Sequence, residues 1–351
     1  FPFATFEALR ESGYLALTAP VEYGGRGATP LEVMLAEERL ARGDGAVALG
    51  AMMHLIQVAS ISKNTQWPEE LQRRVLTDVV ENGALINNLA SEPELGSPSR
   101  GGAYATRAVK EGDCWVINGR KVFSTLSPGL TYATVLLMVQ EVDGSLVRGT
   151  FLVPMDTPGV RIEETWDSMS MRATGSHDVY FENVRLPEEY RLPQQPGIPA
   201  GNLGGWNLVG SAVHLGISTA GRDFAINYAQ HRKPVALGGE TIATLGTVQH
   251  RVAQTEILLL EARTILYNTA ELLDKHPDWR QELAWQLAAA KYVVTNNAIE
   301  ITDQALRVVG STGLLRRSLE RYFRDVRAGL GNPPMDDVAL TLIGKTALGV
   351  K

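Results

Sequence analysis

Cysteine is almost absent: Cys114 stands alone among 351 residues. No intrachain disulfide can form, and metal sites built from several cysteines are excluded. This usage fits a reducing compartment, and the expectation is a cytoplasmic protein. Cys114 sits beside Trp115 and Val116 with no cationic neighbour to lower its pKa, so it reads as a packing residue and not as a nucleophile. An excess of positive charge is missing as well. Lys+Arg 33 against Asp+Glu 39 give a net charge of -6, with no basic run. That argues against nucleic acid and anionic membrane as partners, while leaving room for a local basic pocket around one phosphorylated ligand. Long apolar runs are lacking too. The longest, such as Thr134 to Val139, have the length of strands, and none reads as a membrane span. There is no internal repeat and no low-complexity tract. Phe1-Pro2-Phe3 looks like neither a signal nor a transit peptide, and the missing initiator Met leaves room for a preceding N-terminal element.

What is there reads as a globular chain. Hydrophobic residues make up 44% and charged residues 21%, ordinary values for a packed protein, and the length suits two or three domain-sized units. Three regions differ in pattern. Residues 1–82 read mainly helical: Leu31, Met34, Leu35 and Leu40 have helical spacing, with Thr29 as the cap and Pro30 at the first helical position. Ala46 to Ser62 is nearly all small or apolar and reads as a buried helix, and Pro68 starts another. Residues 83–193 alternate short β-rich runs with turns, among them Trp115 to Ile117, Thr134 to Val139, Thr150 to Pro154 and Asp178 to Val184. Glu111-Gly112-Asp113 and Asp143-Gly144 are hairpin signals, and the spacing suggests a small antiparallel barrel or sandwich. From 197 to 351 the chain is helical again. Long periodic segments at Leu208 to Tyr228, Val248 to Leu273 and Trp279 to Val309 imply an antiparallel bundle. Gln194-Gln195-Pro196-Gly197 is the linker before it.

Four stretches, in order, carry a resemblance over the whole length. They are Leu17-Thr18-Ala19-Pro20-Val21-Glu22-Tyr23-Gly24-Gly25; Leu89-Ala90-Ser91-Glu92-Pro93-Glu94-Leu95-Gly96-Ser97; Met171-Arg172-Ala173-Thr174-Gly175-Ser176-His177-Asp178-Val179; and His231-Arg232-Lys233-Pro234. Together they resemble the acyl-CoA dehydrogenase family. The resemblance implies an α+β multidomain fold: an N-terminal helical domain, a central antiparallel β-barrel and a C-terminal four-helix bundle. It also implies a homotetramer and a bound FAD, with FMN as the alternative, lying between barrel and bundle.

By the same resemblance, Leu89, Ala90 and Ser91 contact the flavin ring, and Phe123, Ser124 and Thr125 line its other side. An isoalloxazine needs an apolar slot with a few hydrogen bonds at its polar edge, which these residue types can supply. Arg232 matches an arginine that reaches the cofactor pyrophosphate from a neighbouring subunit, where a planar guanidinium binds phosphate oxygens bidentately. Gln249 matches a contact on the adenosine side. Arg307, Gly310 and Ser311 lie at the glycine turn near the adenine end. Ser97 matches an acyl-CoA contact.

The departure from the pattern concerns the base. Dehydrogenation of an acyl thioester needs a poised carboxylate to take the α-proton. Counting forward from Arg324-Asp325 puts Pro333 at that position, and Trp206 stands at the second position some members use. Neither takes a proton. Asp336 and Asp337 are the nearest carboxylates, with the plainer reading of a helix start. His54, on the apolar N-terminal helix, is a further catalytic candidate beside its plainer reading as a core residue. His177 reads as structural. Three functions stay open. The first is an FAD-dependent oxidoreductase acting on an acyl-CoA or related thioester and reoxidised by an electron-transfer flavoprotein. The second is a two-component monooxygenase of the same fold, fed by a flavin reductase. The third is a silent flavin- or ligand-binding homologue.

Overall fold

A computed structural model describes residues 1–64, 66–95, 102–193 and 206–350. The chain divides into two compact units. The first comprises Phe1–Ala28, Gly50–Ser168 and Arg172–Ala200; the second comprises Thr29–Leu49, Met169–Met171 and Gly201–Lys351.

The first unit holds helices α1 (Phe3–Glu11) and α4 (Glu69–Asn82), most of α3 (Gly45–Ser62), and an eight-stranded sheet. Helix α4 stops where Gly83 takes φ 67°, a left-handed C-terminal conformation that costs glycine little. Its apolar face (Leu71, Val75, Leu76, Val79) joins Val58 and Ile61 of α3 in one core with Ile86, Tyr132 and Leu152 of the sheet. The strands are β1 (Leu85–Leu89), β2 (Arg107–Glu111), β3 (Cys114–Ser124), β4 (Leu130–Gln140), β5 (Leu146–Pro154), β6 (Val160–Glu163), β7 (His177–Pro187) and β8 (Arg191–Leu192).

Both hairpin signals act as turns: Glu111 pairs with Cys114, and Gln140 with Leu146. The antiparallel expectation needs a qualification. Strand β4 runs parallel to β1 along its first half and parallel to β2 along its second, and antiparallel only to β5. A hairpin pattern cannot reveal this, because β1 and β2 reach β4 through longer connections.

The helix at Gly45–Ser62 corrects another expectation. It has 18 residues and a mean hydropathy of 1.5, long and apolar enough by length and composition to cross a bilayer. Within the protein 67% of it is buried, and a helix covered by neighbours must be apolar nearly all round. Its Ala, Gly and Ser residues hide this length from a search for large apolar side chains.

The second unit packs α2 (Pro30–Gly43), α5 (Trp206–His231), α6 (Gly246–Lys275), α7 (Ala284–Val309), α8 (Ser318–Asp325) and α9 (Asp336–Leu348). Thr29 caps α2 as expected. Its hydroxyl accepts from the Glu32 N–H at 3.3 Å, while the Glu32 carboxylate accepts from the Thr29 N–H at 2.8 Å. Helix α2, from the N-terminal stretch, packs on α5 inside this unit. Gly216 permits the approach: a Cβ there would stand 2.3 Å from the Glu38 carbonyl oxygen. Glu38 is in turn held by Arg263 and by the Tyr267 hydroxyl of α6.

Candidate functional site

In the first unit the end of β3 is the least regular and most suggestive segment. Phe123 takes φ 54° and Leu126 φ 71°, left-handed conformations that cost a non-glycine residue on the order of 1 kcal/mol each. The consequence is exposure. Phe123 is 66% exposed, while Ser124 beside it is buried. The backbone is tied down on both sides: Leu126 N–H donates to the Thr174 carbonyl at 2.9 Å, and Asn87 Nδ2 donates to the Thr125 carbonyl at 3.0 Å. Thr125 Oγ1 lies 2.9 Å from Ser176 Oγ, which lies 2.7 Å from Thr174 Oγ1. This chain of three hydroxyls leads inward from the turn. Ser124 Oγ, fully buried, has no hydrogen-bond partner among the described residues, which leaves a polar group open to a water or a ligand atom.

The motif loop beside this turn is clasped by a buried ion pair. Lys121 and Glu92 are both essentially inaccessible, with Nζ 2.6 Å from Oε1. The Glu92 carboxylate also accepts the N–H groups of Ala105 and Thr106, and Lys121 Nζ donates to the Leu136 carbonyl. Burial alone would push the Glu92 carboxyl up, yet Lys121 and these N–H groups hold it below its usual value; burial pulls the Lys121 ammonium below its own. The clasp sets Ser91 beside β3, where the Ser91 carbonyl accepts the Val122 N–H at 3.0 Å. Thus Leu89, Ala90 and Ser91 and the Phe123-Ser124-Thr125 turn come together in one unit. Ser97 lies outside the described residues.

His54 is placed differently from its catalytic expectation. It is fully buried. Its Nδ1 accepts the Ile86 N–H at 3.1 Å, so the ring proton is on Nε2, which donates to the Leu15 carbonyl at 2.9 Å. Burial lowers its pKa to about 4. Both nitrogens are committed to backbone, and neither a lone pair nor a proton is left for a substrate. His54 pins α3 to the first strand and to the turn at Leu15.

In the second unit the Pro333 loop is held from two sides. Asn332 Nδ2 lies 3.4 Å from His214 Nε2, and Lys291 Nζ lies 3.0 Å from Asp336 Oδ1. Asn296 Nδ2 donates to the other Asp336 oxygen at 3.0 Å. Asp336 is therefore engaged through both oxygens with a nearly buried cation and an amide, which makes it an anchor of the helix start. Asp337 follows it, exposed, in the first turn of α9. His214 is fully buried, and burial together with the Lys291 charge lowers its pKa to about 4. Trp206 opens α5.

The residues matched to the cofactor's phosphate and adenosine lie at one end of this unit. Arg232 and Gln249 are exposed; the Arg232 carbonyl accepts the Ile242 N–H, and Gln249 Nε2 donates to the Ala243 carbonyl at 3.0 Å. Gln249 lines an open groove of about 340 Å³ with Ile226, Ala229 and Val252. The Tyr228 hydroxyl, 3.3 Å from Thr312 Oγ1, brings the turn of Gly310 and Ser311 to the same end of α5. Gly310 ends α7 with φ 68°. Arg307 is spent on its own helix, with Nε 2.6 Å from Asp303.

Sequence reasoning missed two parts of this geometry. Trp166 packs edge to face on Phe123, ring centroids 5.7 Å apart at 75°. His214 with Asn332 underlies the loop at which counting places the missing base. Neither belongs to a motif; a lone aromatic in an irregular stretch and a lone histidine on an apolar helix carry no sequence signal.

Family models describe the chain almost end to end. Residues 1–82 match the acyl-CoA dehydrogenase N-terminal domain, 88–184 the middle domain and 208–330 the C-terminal domain. Among relatives, the chain is 42% identical to the putative acyl-CoA dehydrogenase YdbM of Bacillus subtilis (strain 168), over 97% of this chain and 88% of that one. Among solved structures, KijD3 in complex with FMN and a dTDP-linked amino-keto sugar superposes with a TM-score of 0.86 at 25% identity, covering 100% of this chain and 88% of that one. The glutaryl-coenzyme A dehydrogenase complex with glutaryl-CoA shares the fold at 24% identity over the same shares.

Proposed function

Because the chain belongs to the acyl-CoA dehydrogenase family of flavin-dependent oxidoreductases, we propose that it oxidises an acyl-CoA or related thioester with a flavin held against the Phe123 turn. The observation that carries this reading is that turn: an exposed aromatic ring on strained backbone, beside a buried serine hydroxyl without a partner and a chain of hydroxyls. These residues fit a flat aromatic group with a polar edge. Phe123 would carry the ring and Ser91 and Thr125 its polar edge; by the family's pattern Arg232 would reach the pyrophosphate of an FAD held by a neighbouring subunit, and Gln249 would meet the adenosine side of an FAD. A bound flavin supplies a two-electron acceptor. The chain's own work is to bind, orient and exclude water around it. Ser97 would meet the acyl-CoA, and the bundle would assemble a homotetramer reoxidised by an electron-transfer flavoprotein.

A second reading is favoured by the loop of the second unit. Pro333 offers no proton acceptor, Asp336 is engaged through both oxygens, and His54 is committed to backbone. A monooxygenase that receives reduced flavin from a reductase needs no carboxylate at this loop, and KijD3 was solved with FMN. Anaerobic mixing of the flavin-loaded protein with a panel of acyl-CoA thioesters separates the readings. Bleaching of the oxidised flavin band supports the dehydrogenase and assigns a base, with Asp337 the next residue to change. No bleaching, with substrate-dependent oxygen uptake on added reduced FMN, supports the monooxygenase. Tight flavin retention with neither response marks a binding protein without chemistry. Release of the cofactor by heat, followed by chromatography, decides FAD against FMN.

A further inference from the structure

We propose that Trp166 is a second wall of the flavin-ring site, set in place by His177. This rests on the reading that the ring lies at Phe123. Trp166 occupies an irregular stretch between β6 and β7, where nothing in the local pattern fixes a side chain. Bonds to β7 hold the backbone of this stretch. The Trp166 N–H donates to His177 Nδ1 at 3.0 Å, and the Asp178 N–H donates to Thr165 Oγ1 at 3.1 Å. A backbone N–H can only donate, so His177 presents its lone pair at Nδ1 and carries a proton on Nε2. His177 itself begins β7 and pairs with Ser124 across the sheet. The strut that sets Trp166 and the turn that exposes Phe123 are thus neighbours on the same strand pair.

The two rings stand at 75° to each other with centroids 5.7 Å apart. Two aromatic planes meeting near a right angle form a corner. A flat ligand lying on one has its edge closed by the other, which adds contact area without another hydrogen bond. The indole is electron-rich, and the oxidised isoalloxazine is electron-poor, so this corner suits that ligand class better than an aliphatic one. The φ of 54° at Phe123 points the same way: beyond its edge-to-face contact with Trp166, the strained backbone leaves Phe123 66% exposed.

Flavin release from the full-length holoprotein on dilution, with the emission of bound flavin read alongside, tests this. Indole in contact with a flavin quenches its emission by electron transfer, whereas phenyl does so weakly. Trp166→Ala is expected to weaken flavin binding on the order of tenfold and to brighten the bound flavin severalfold, with Trp166→Phe restoring affinity but not quenching. His177→Leu is expected to shift both readings in the same direction by less, and His177→Gln, which keeps an acceptor, to recover them. If Phe123→Ala weakens flavin binding while Trp166→Ala changes neither affinity nor emission, the second wall is wrong and the ring site at Phe123 stands. If neither variant changes affinity, the ring site is wrong and the proposal falls with it.

Discussion

Acid should unfold this protein through its buried histidines, and His54 allows the size of the effect to be worked out. In the folded state its pKa is lowered to about 4 by burial, with both nitrogens bonded to backbone. In the unfolded chain it returns to about 6.5. Between these values the unfolded state binds a proton that the folded state refuses. The unfolded state therefore binds more protons, and stability rises with pH across this window and is lost as pH falls. Integrating the one-site linkage from pH 7 to pH 5 gives a loss of about 2 kcal/mol from this residue alone. Replacing His54 by Gln removes the titration. Urea denaturation of wild type and His54→Gln at pH 7 and pH 5 reads the difference. The variant is less stable at pH 7, because two backbone groups lose well-placed partners, but its stability should fall by about 2 kcal/mol less between the two pH values. An identical fall in both proteins would refute the assignment of a neutral, backbone-bonded imidazole.

The other expectations concern the clasp, the helix contact and the turn. Lys121→Met should cost about 3–5 kcal/mol in denaturant unfolding, since it strands the Glu92 carboxylate in a site closed to water; adding Glu92→Gln should recover part of that loss, and equal losses in single and double variants would deny the coupling. Gly216→Ala should lower the melting temperature, with a cost of about 1–3 kcal/mol, because the new methyl group meets the Glu38 carbonyl at 2.3 Å and one of two packed helices must shift; a neutral result would mean that α2 and α5 sit further apart. Phe123→Gly should change stability by less than about 1 kcal/mol, lost contact and relieved strain offsetting each other, while flavin affinity falls at least several fold; loss of fold in this variant would show that the exposed ring serves packing.

Much of the outline follows from local rules. The helix of α2 begins at Thr29 because a threonine, a proline and a glutamate three residues on satisfy the same free N–H groups in any context. The hairpins at Gly112 and Gly144 turn where glycine permits positive φ. The order of helices, strands and helices, and the motif stretches that carry the family, are likewise written along the chain. Counting from Arg324-Asp325 along the family's pattern also puts Pro333 where a carboxylate is expected.

What only the tertiary structure decided depends on pairs far apart in sequence. His54 could be read as a catalytic imidazole until Leu15 and Ile86 took its two nitrogens. Asp336 was a candidate base until Lys291 and Asn296, a helix away, engaged both of its oxygens. Trp166 stands against Phe123 in a place that sequence spacing does not reveal, its backbone bonded to His177, which β7 brings beside Ser124. A side chain's type fixes what bonds it can make; which of them are already made, and which remain for a ligand, is settled by the neighbours that folding supplies.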